Sequence, residues 1–291
     1  MIDPDRHPDR HSVTHPMTFG ARLDAALSAR GSLCVGIDPH PGLLRDWGLT
    51  DDVDGLSRFS GACVEAFAGM VAVLKPQSAF FERFGAAGIA VLERTVADCR
   101  AAGALVVLDV KRGDIGSTMA AYAQAYLDPA SPLASDAITL SPYLGVGSLE
   151  PAFAVASAHG AGVFVLALTS NPEGPQVQHA RTTAGENVAQ AVVDDLAARN
   201  AAQEPMGSFG VVVGATIGFS VAELSGLNGP YLVPGIGAQG GTPADVRRIF
   251  GAGLGHVVPS VSREVLRAGP DVPALVAAAR RVGRQFEFLR Q

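Results

Sequence analysis

The chain has 291 residues and a mass of 29.9 kDa, which suits a single barrel with one large core, or one domain with an appendage. Its formal net charge is −6 and it has no Lys/Arg-rich block, which points away from nucleic acid and anionic membranes but leaves room for a local anion pocket. No stretch reaches about 18 uninterrupted apolar residues and the start has no apolar signal core, so neither secretion nor a membrane span is expected and the location is read as cytoplasmic.

Residues 1–16 read as a flexible tail, and residues 17–291 as one domain. The tail holds His7, His11 and His15, but their spacing lacks a matching carboxylate or cysteine framework, so no metal site is expected there. After the tail come eight short runs rich in Val, Ile and Leu, at 32–38, 71–76, 104–110, 136–142, 162–169, 209–216, 231–236 and 255–260. They are continuous rather than alternating, as strands covered on both faces are. Ala-rich, helix-sized intervals separate them, so a closed (β/α)₈ TIM barrel is favoured over an open doubly wound sheet. An extra helix over about 17–29, ahead of the first run, is expected to cap the bottom of that barrel. The long loops are expected at 39–56 and 170–180. Cys34, Cys63 and Cys99 lie in mostly apolar surroundings without a CxxC, and read as buried thiols in a reducing compartment.

Barrel geometry makes the carboxyl ends of the strands the place to look for chemistry. Asp38 ends the first run, Lys75 the second, Asp109 and Lys111 the third and Ser141 the fourth, while Thr169, Ser170 and Asn171 follow the fifth. Residues 109 and 111 are two apart and so share a strand face, with Val110 turned toward the helices. The lysines deserve separate weight: of 22 Lys plus Arg, only Lys75 and Lys111 are lysine and the other 20 are arginine. Both stand at the mouth of the expected barrel, where a compact ammonium with transferable protons does what a guanidinium cannot. Ion pairs that merely lock the barrel top are the plainer alternative. Burying several charges for stability alone is unfavourable, since desolvation can cancel their attraction.

The other half of the barrel offers an anion site. Residues 234–246, PGIGAQGGTPADV, leave the seventh run through glycines and enter a helix at Thr242 and Pro243. Ser262 and Arg263 follow the eighth run, and loops after strands 7 and 8 are a frequent phosphate site in barrels. There is no GxxxxGK[ST] P-loop, and GAGLGH at 251–256 precedes a strand rather than following one, against a dinucleotide fingerprint.

The ordered set GIDPHP, LKPQSAFFE, LDVKRGDIGST, LSPYLG, LALTSNP, GATIG, PGIGAQGG and the Ser-Arg pair resembles the orotidine 5'-phosphate decarboxylase family, in its longer bacterial subgroup, over about residues 19–268. The resemblance implies a barrel of the ribulose-phosphate-binding type that converts orotidine 5'-monophosphate to UMP and carbon dioxide, with no cofactor or metal. It further implies a Lys75, Asp109, Lys111 and Asp114 network in which Lys111 protonates the pyrimidine C6, and a homodimer in which Asp114 and Thr118 reach the partner's site. Asp38 and Lys75 match ribose-hydroxyl contacts and Ser141 the pyrimidine-edge contact. Gln239 and Arg263 match the phosphate grip, with Gly237 and Gly240 allowing close backbone approach. Ser262 stands where many relatives have glycine. Two rivals stay open: a magnesium-dependent barrel acting on sugar phosphates, and a barrel that binds a metabolite without catalysis.

Overall fold

The computed structural model describes residues 17–290, so the tail read at 1–16 lies outside the described residues. Each apolar run is a parallel strand: β1 Cys34–Ile37, β2 Val73–Pro76, β3 Leu105–Arg112, β4 Ala137–Leu140, β5 Gly162–Leu168, β6 Phe209–Val213, β7 Tyr231–Val233 and β8 Val257–Val261. Neighbours pair in chain order, and β8 closes on β1 through Cys34↔Ser260 and Val35↔Val261. The eight-stranded TIM barrel expected from the sequence is the fold.

In chain order the α-helices are α1 Phe19–Arg30, α2 Pro41–Asp46, α3 Val53–Phe67, α4 Ala79–Glu82, α5 Gly85–Ala101, α6 Gly116–Leu127, α7 Glu150–His159, α8 Pro175–Gln178, α9 Val188–Asn200, α10 Pro243–Phe250, α11 Arg263–Leu266 and α12 Val272–Arg284. Helix α1 starts at Thr18, whose side chain accepts the Ala21 N–H, and it closes the barrel floor as expected. Its buried Phe19, Leu23 and Leu27 join Cys34, Val73, Val107, Phe164, Val212, Leu232 and Val258 in one apolar cluster inside the barrel. Gly162 permits this, because the Phe19 ring lies where a Cβ on residue 162 would stand. A larger core fills the space between the barrel and its helices. All three cysteines are buried.

Two connections differ from the sequence reading. The loop expected over 39–56 is broken by α2 and runs into α3, because Pro41 at the first helical turn and the Asp52 side chain capping Gly55 N–H each start a helix. The interval after β6 holds no α-helix, since residues 214–230 are punctuated by Gly214, Gly218, Gly226, Gly229 and Pro230. No helix of the described residues is long and apolar enough to cross a membrane.

Candidate active site

The carboxyl ends of the strands ring a cavity of about 1070 Å³. Asp38, Lys75, Asp109, Lys111, Ser141, Gln239 and Arg263 all line it, so strands β1 to β4 and the turns after β7 and β8 converge as the strand-end rule requires. Asp114, Thr118, Gly237 and Gly240 do not line the cavity of their own chain.

Asp109 is the centre of the charged half. Lys75 Nζ donates to its Oδ2 at 2.9 Å and Lys111 Nζ to its Oδ1 at 2.5 Å, so the two ammonium groups hold opposite oxygens of one carboxylate. Lys75 and Asp109 are buried, while the Lys111 side chain keeps 44% of its surface exposed to the cavity and its mouth. Burial alone disfavours the Lys75 ammonium, but Asp109 and Asp38 outweigh it and raise its pKa above the ordinary lysine range. Burial alone also disfavours the Asp109 carboxylate, but Lys75 and Lys111 outweigh it and hold its pKa well below the usual range. Lys75 and Asp109 are therefore both ionised at neutral pH, with the partly exposed Lys111 side chain as the open end of the triad.

The expected alternation of β3 is carried out in a less regular way than a plain strand. Lys111 has φ 46°, a left-handed conformation that costs a non-glycine residue roughly 1–3 kcal/mol. The β3–β4 register shifts between Leu108 and Arg112, so the residue sits in a bulge that re-aims its side chain. Thr139 on β4 secures this geometry: its hydroxyl donates to Asp109 Oδ1 at 2.8 Å and accepts the Lys111 N–H at 3.0 Å. Sequence reading passed over Thr139. Its only signal was its place two residues before Ser141 on the inward face of β4.

Asp38 carries a buried Oδ1 with no hydrogen-bond partner among the described residues. A buried carboxylate oxygen left unpaired is costly, and a ligand hydroxyl in the cavity would satisfy it. His40, two residues on, lines the same wall and packs its ring 4.1 Å from that of Phe80. Burial lowers its pKa against the pull of Asp38, which favours the neutral imidazole. This residue, too, was assigned no role from the sequence.

The anion half differs in detail from the sequence reading. The start of α10 is already closed by a capping box, in which Thr242 Oγ1 accepts the Asp245 N–H and Asp245 Oδ2 accepts the Thr242 N–H. The N–H groups of Gly237, Gly240 and Gly241 are likewise spent within the turn, on Gly241 O, Gly237 O and Gly235 O. Ala238 and Gln239 line the cavity, and among the described residues no intrachain hydrogen bond engages their N–H groups. The positive φ of 67° at Gly237 and 93° at Gly240 shapes the turn that presents them. Arg263, after the neighbouring strand β8, supplies a fixed positive charge beside this turn. Ser262 fits because Gly36 on β1 lacks a Cβ, and the serine hydroxyl fills that space.

A closed parallel barrel with a Lys-Asp-Lys centre on one side of its mouth and an arginine and glycine turn on the other defines a barrel of the enzyme type with a site suited to small anionic ligands. The model of the Orotidine 5'-phosphate decarboxylase / HUMPS family matches residues 31–278, and the chain belongs to that family. It is 64% identical over 264 residues to the orotidine 5'-phosphate decarboxylase of Salinispora tropica, covering 91% of this chain and 95% of the relative. It is 65% identical over 263 residues to that of Streptomyces coelicolor, covering 90% and 95%. A crystal structure from Streptomyces avermitilis assigned to the same enzyme superposes with a TM-score of 0.92 at 62% identity, covering 94% of this chain and 96% of that one.

Proposed function

We propose that this cavity decarboxylates orotidine 5'-monophosphate to UMP and carbon dioxide, the last step of pyrimidine nucleotide synthesis. The observation that carries the reading is the single carboxylate of Asp109 held between two ammonium groups, with Lys111 open to the cavity. The family also contains sugar-phosphate enzymes, and the 64% identity over nearly the whole chain favours the pyrimidine substrate.

In this reading the substrate phosphate lies on Arg263, Gln239 and the 237–240 turn, the ribose hydroxyls meet Asp38 and Lys75, and Ser141 meets the pyrimidine edge. The carboxylate then sits beside Asp109 and C6 beside Lys111. When the C6–carboxyl bond breaks, its electron pair remains on C6 and carbon dioxide leaves. The Lys111 ammonium stabilises that pair and transfers one proton to C6, giving UMP and a neutral amine that regains its proton from solvent. Asp109, kept ionised by its two lysines, fixes the ammonium where charge develops rather than where the substrate is most stable. Phosphate binding energy can close the segments 170–180 and 238–242 over the ring.

The active form in this proposal is a cytoplasmic homodimer. Asp114 and Thr118 follow β3 yet lie outside their own chain's cavity, which is where residues lent to a partner would be. Ile115, Tyr143 and Leu144 nearby are 62%, 79% and 52% exposed, an apolar surface suited to burial against a second copy. The test adds orotidine 5'-monophosphate in the presence of EDTA and follows ultraviolet absorbance together with carbon dioxide release. Turnover is expected. Its absence from folded protein, with magnesium-dependent activity on a sugar phosphate, would transfer the assignment to the other branch of the family.

A further inference from the structure

A left-handed lysine in a bulge needs a hold on both sides, and Thr139 supplies only one contact at its N–H. The residue after it, Arg112, leaves the strand with its guanidinium directed away from the cavity lining. Its Nη2 donates to Glu82 Oε1 at 2.6 Å and to the Tyr126 hydroxyl at 3.3 Å. Glu82, at the end of α4, accepts a second hydrogen bond at 2.5 Å from the hydroxyl of Ser78. Ser78 is almost fully buried, and its N–H donates to the carbonyl oxygen of Asp109 at 3.2 Å. One carboxylate oxygen of Glu82 therefore ties the backbone at Asp109 to the side chain at residue 112, bracketing the Asp109–Lys111 pair from outside the site.

We infer that Arg112, working through Glu82, is a positioning residue that holds Lys111 in its left-handed conformation and so keeps the ammonium on Asp109. The inference rests on the decarboxylase reading for its kinetic consequence, not for its geometry. An ordinary surface ion pair between groups this exposed, 29% for Arg112 and 35% for Glu82, contributes little to stability. The network gains its leverage from where it is anchored. Without it, the peptide at 111 can relax to an extended conformation, and a side chain on a relaxed strand end no longer addresses Asp109. Arginine suits the position because its Nη2 donates to both Glu82 and Tyr126 while its guanidinium plane lies 5.7 Å over the Tyr122 ring, a stacking face that a lysine ammonium lacks. Among the described residues the buried Arg112 Nε has no partner, so the hydrogen bonds that grip the side chain are those of its far end.

The chain's two lysines make the test direct. Labelling lysine with ¹⁵N gives two side-chain ammonium signals, from Lys75 and Lys111, assigned by the loss of one in K111R. In E82M, in R112M and in R112K the Lys111 signal is expected to move or broaden while that of Lys75 stays in place. Turnover of orotidine 5'-monophosphate should fall about tenfold to a hundredfold, the scale of a misplaced catalytic group. The UMP dissociation constant should change by less than about twofold, and E82M/R112M should be no worse than the poorer single variant. Both ammonium signals and turnover unchanged in folded E82M would overturn the inference. E82M keeps the length of the side chain but has no oxygen to accept from Ser78 or Arg112, and it decides the matter even where R112M does not fold. Should the wild-type chain fail to decarboxylate the substrate, the functional reading falls, and the ammonium signals alone still decide the positioning.

Discussion

The hydroxyl of Ser262 occupies the space that a Cβ on Gly36 would fill. Gly36 sits in β1 two residues before Asp38, and Ser262 immediately precedes Arg263, so this fit joins the Asp38 wall of the cavity to its Arg263 side. Asp38 Oδ2 also lies 3.2 Å from the same Cβ position. The G36A variant must therefore displace the serine, the aspartate or both. It is expected to weaken UMP binding about tenfold, or ~1.4 kcal/mol. In G36A/S262G the space is restored and affinity should return to within about twofold of wild type. Calorimetric titration of UMP checks both. Undiminished affinity in G36A would mean that Ser262 can turn away without moving Arg263.

Thr139 holds both members of the Asp109–Lys111 pair through one hydroxyl. T139V keeps the shape but leaves the Lys111 N–H and Asp109 Oδ1 each short of a partner, a loss of about 1–3 kcal/mol in stability. Turnover should fall with it, because the bulge at residue 111 loses its inner restraint. T139S retains the hydroxyl and should retain most of both. Chemical denaturation alongside steady-state kinetics separates the outcomes: stability lost with turnover intact would make Thr139 a structural residue only.

The ion triad fixes a pH dependence. The Asp109 pKa is lowered on folding, so its contribution to stability is present above the unfolded value of about 3.9 and is lost as pH falls through the folded one. The Lys75 pKa is raised, so its contribution is complete below the unfolded value of about 10.4 and is lost as pH rises through the folded one. Between roughly pH 5 and pH 9 the Lys75–Asp109 pair thus adds no slope. D109N leaves the buried Lys75 ammonium without its carboxylate and is expected to cost about 3–5 kcal/mol at pH 7. The penalty should shrink below about pH 4, where wild-type Asp109 starts to lose its own advantage. Thermal unfolding of both proteins from pH 3 to pH 8 checks this, and a gap that stays constant to pH 3 would contradict it.

The strands were legible because a barrel strand is covered on both faces and so reads as an unbroken apolar run, as in ALVVLDV before Asp109. The convergence of Asp38, Lys75, Asp109 and Lys111 followed from strand ends alone, since closure brings all carboxyl ends to one rim. What a period-2 pattern cannot encode is a bulge. The left-handed turn at Lys111 depends on partners at residues 139, 82 and 126, each distant in sequence and chemically ordinary until β4, α4 and α6 bring them near. The anion turn shows the same limit. Its glycines were visible, but whether their N–H groups face a ligand or one another is decided by hydrogen bonds among residues 235–241.

Asp114 provides the final prediction. Its Oδ1 accepts the N–H of Ile115 at 2.8 Å, and the residue stands outside the cavity lined by Asp109 and Lys111 of its own chain. In the proposed homodimer each subunit keeps its lysine and lends its aspartate. K111A and D114A should then each be nearly inactive alone, but for different geometric reasons. Exchange of subunits between the two creates heterodimers in which one site carries both defects and the other carries neither. With random exchange of equal amounts, half the dimers are mixed and one of two sites in each is intact, so the mixture should recover about a quarter of wild-type activity per site. Native mass spectrometry of differently tagged chains confirms the exchange, and decarboxylation is followed in the same samples. Confirmed exchange without recovery would place Asp114 and Lys111 in one subunit's site, or show that neither site works unless its neighbour does.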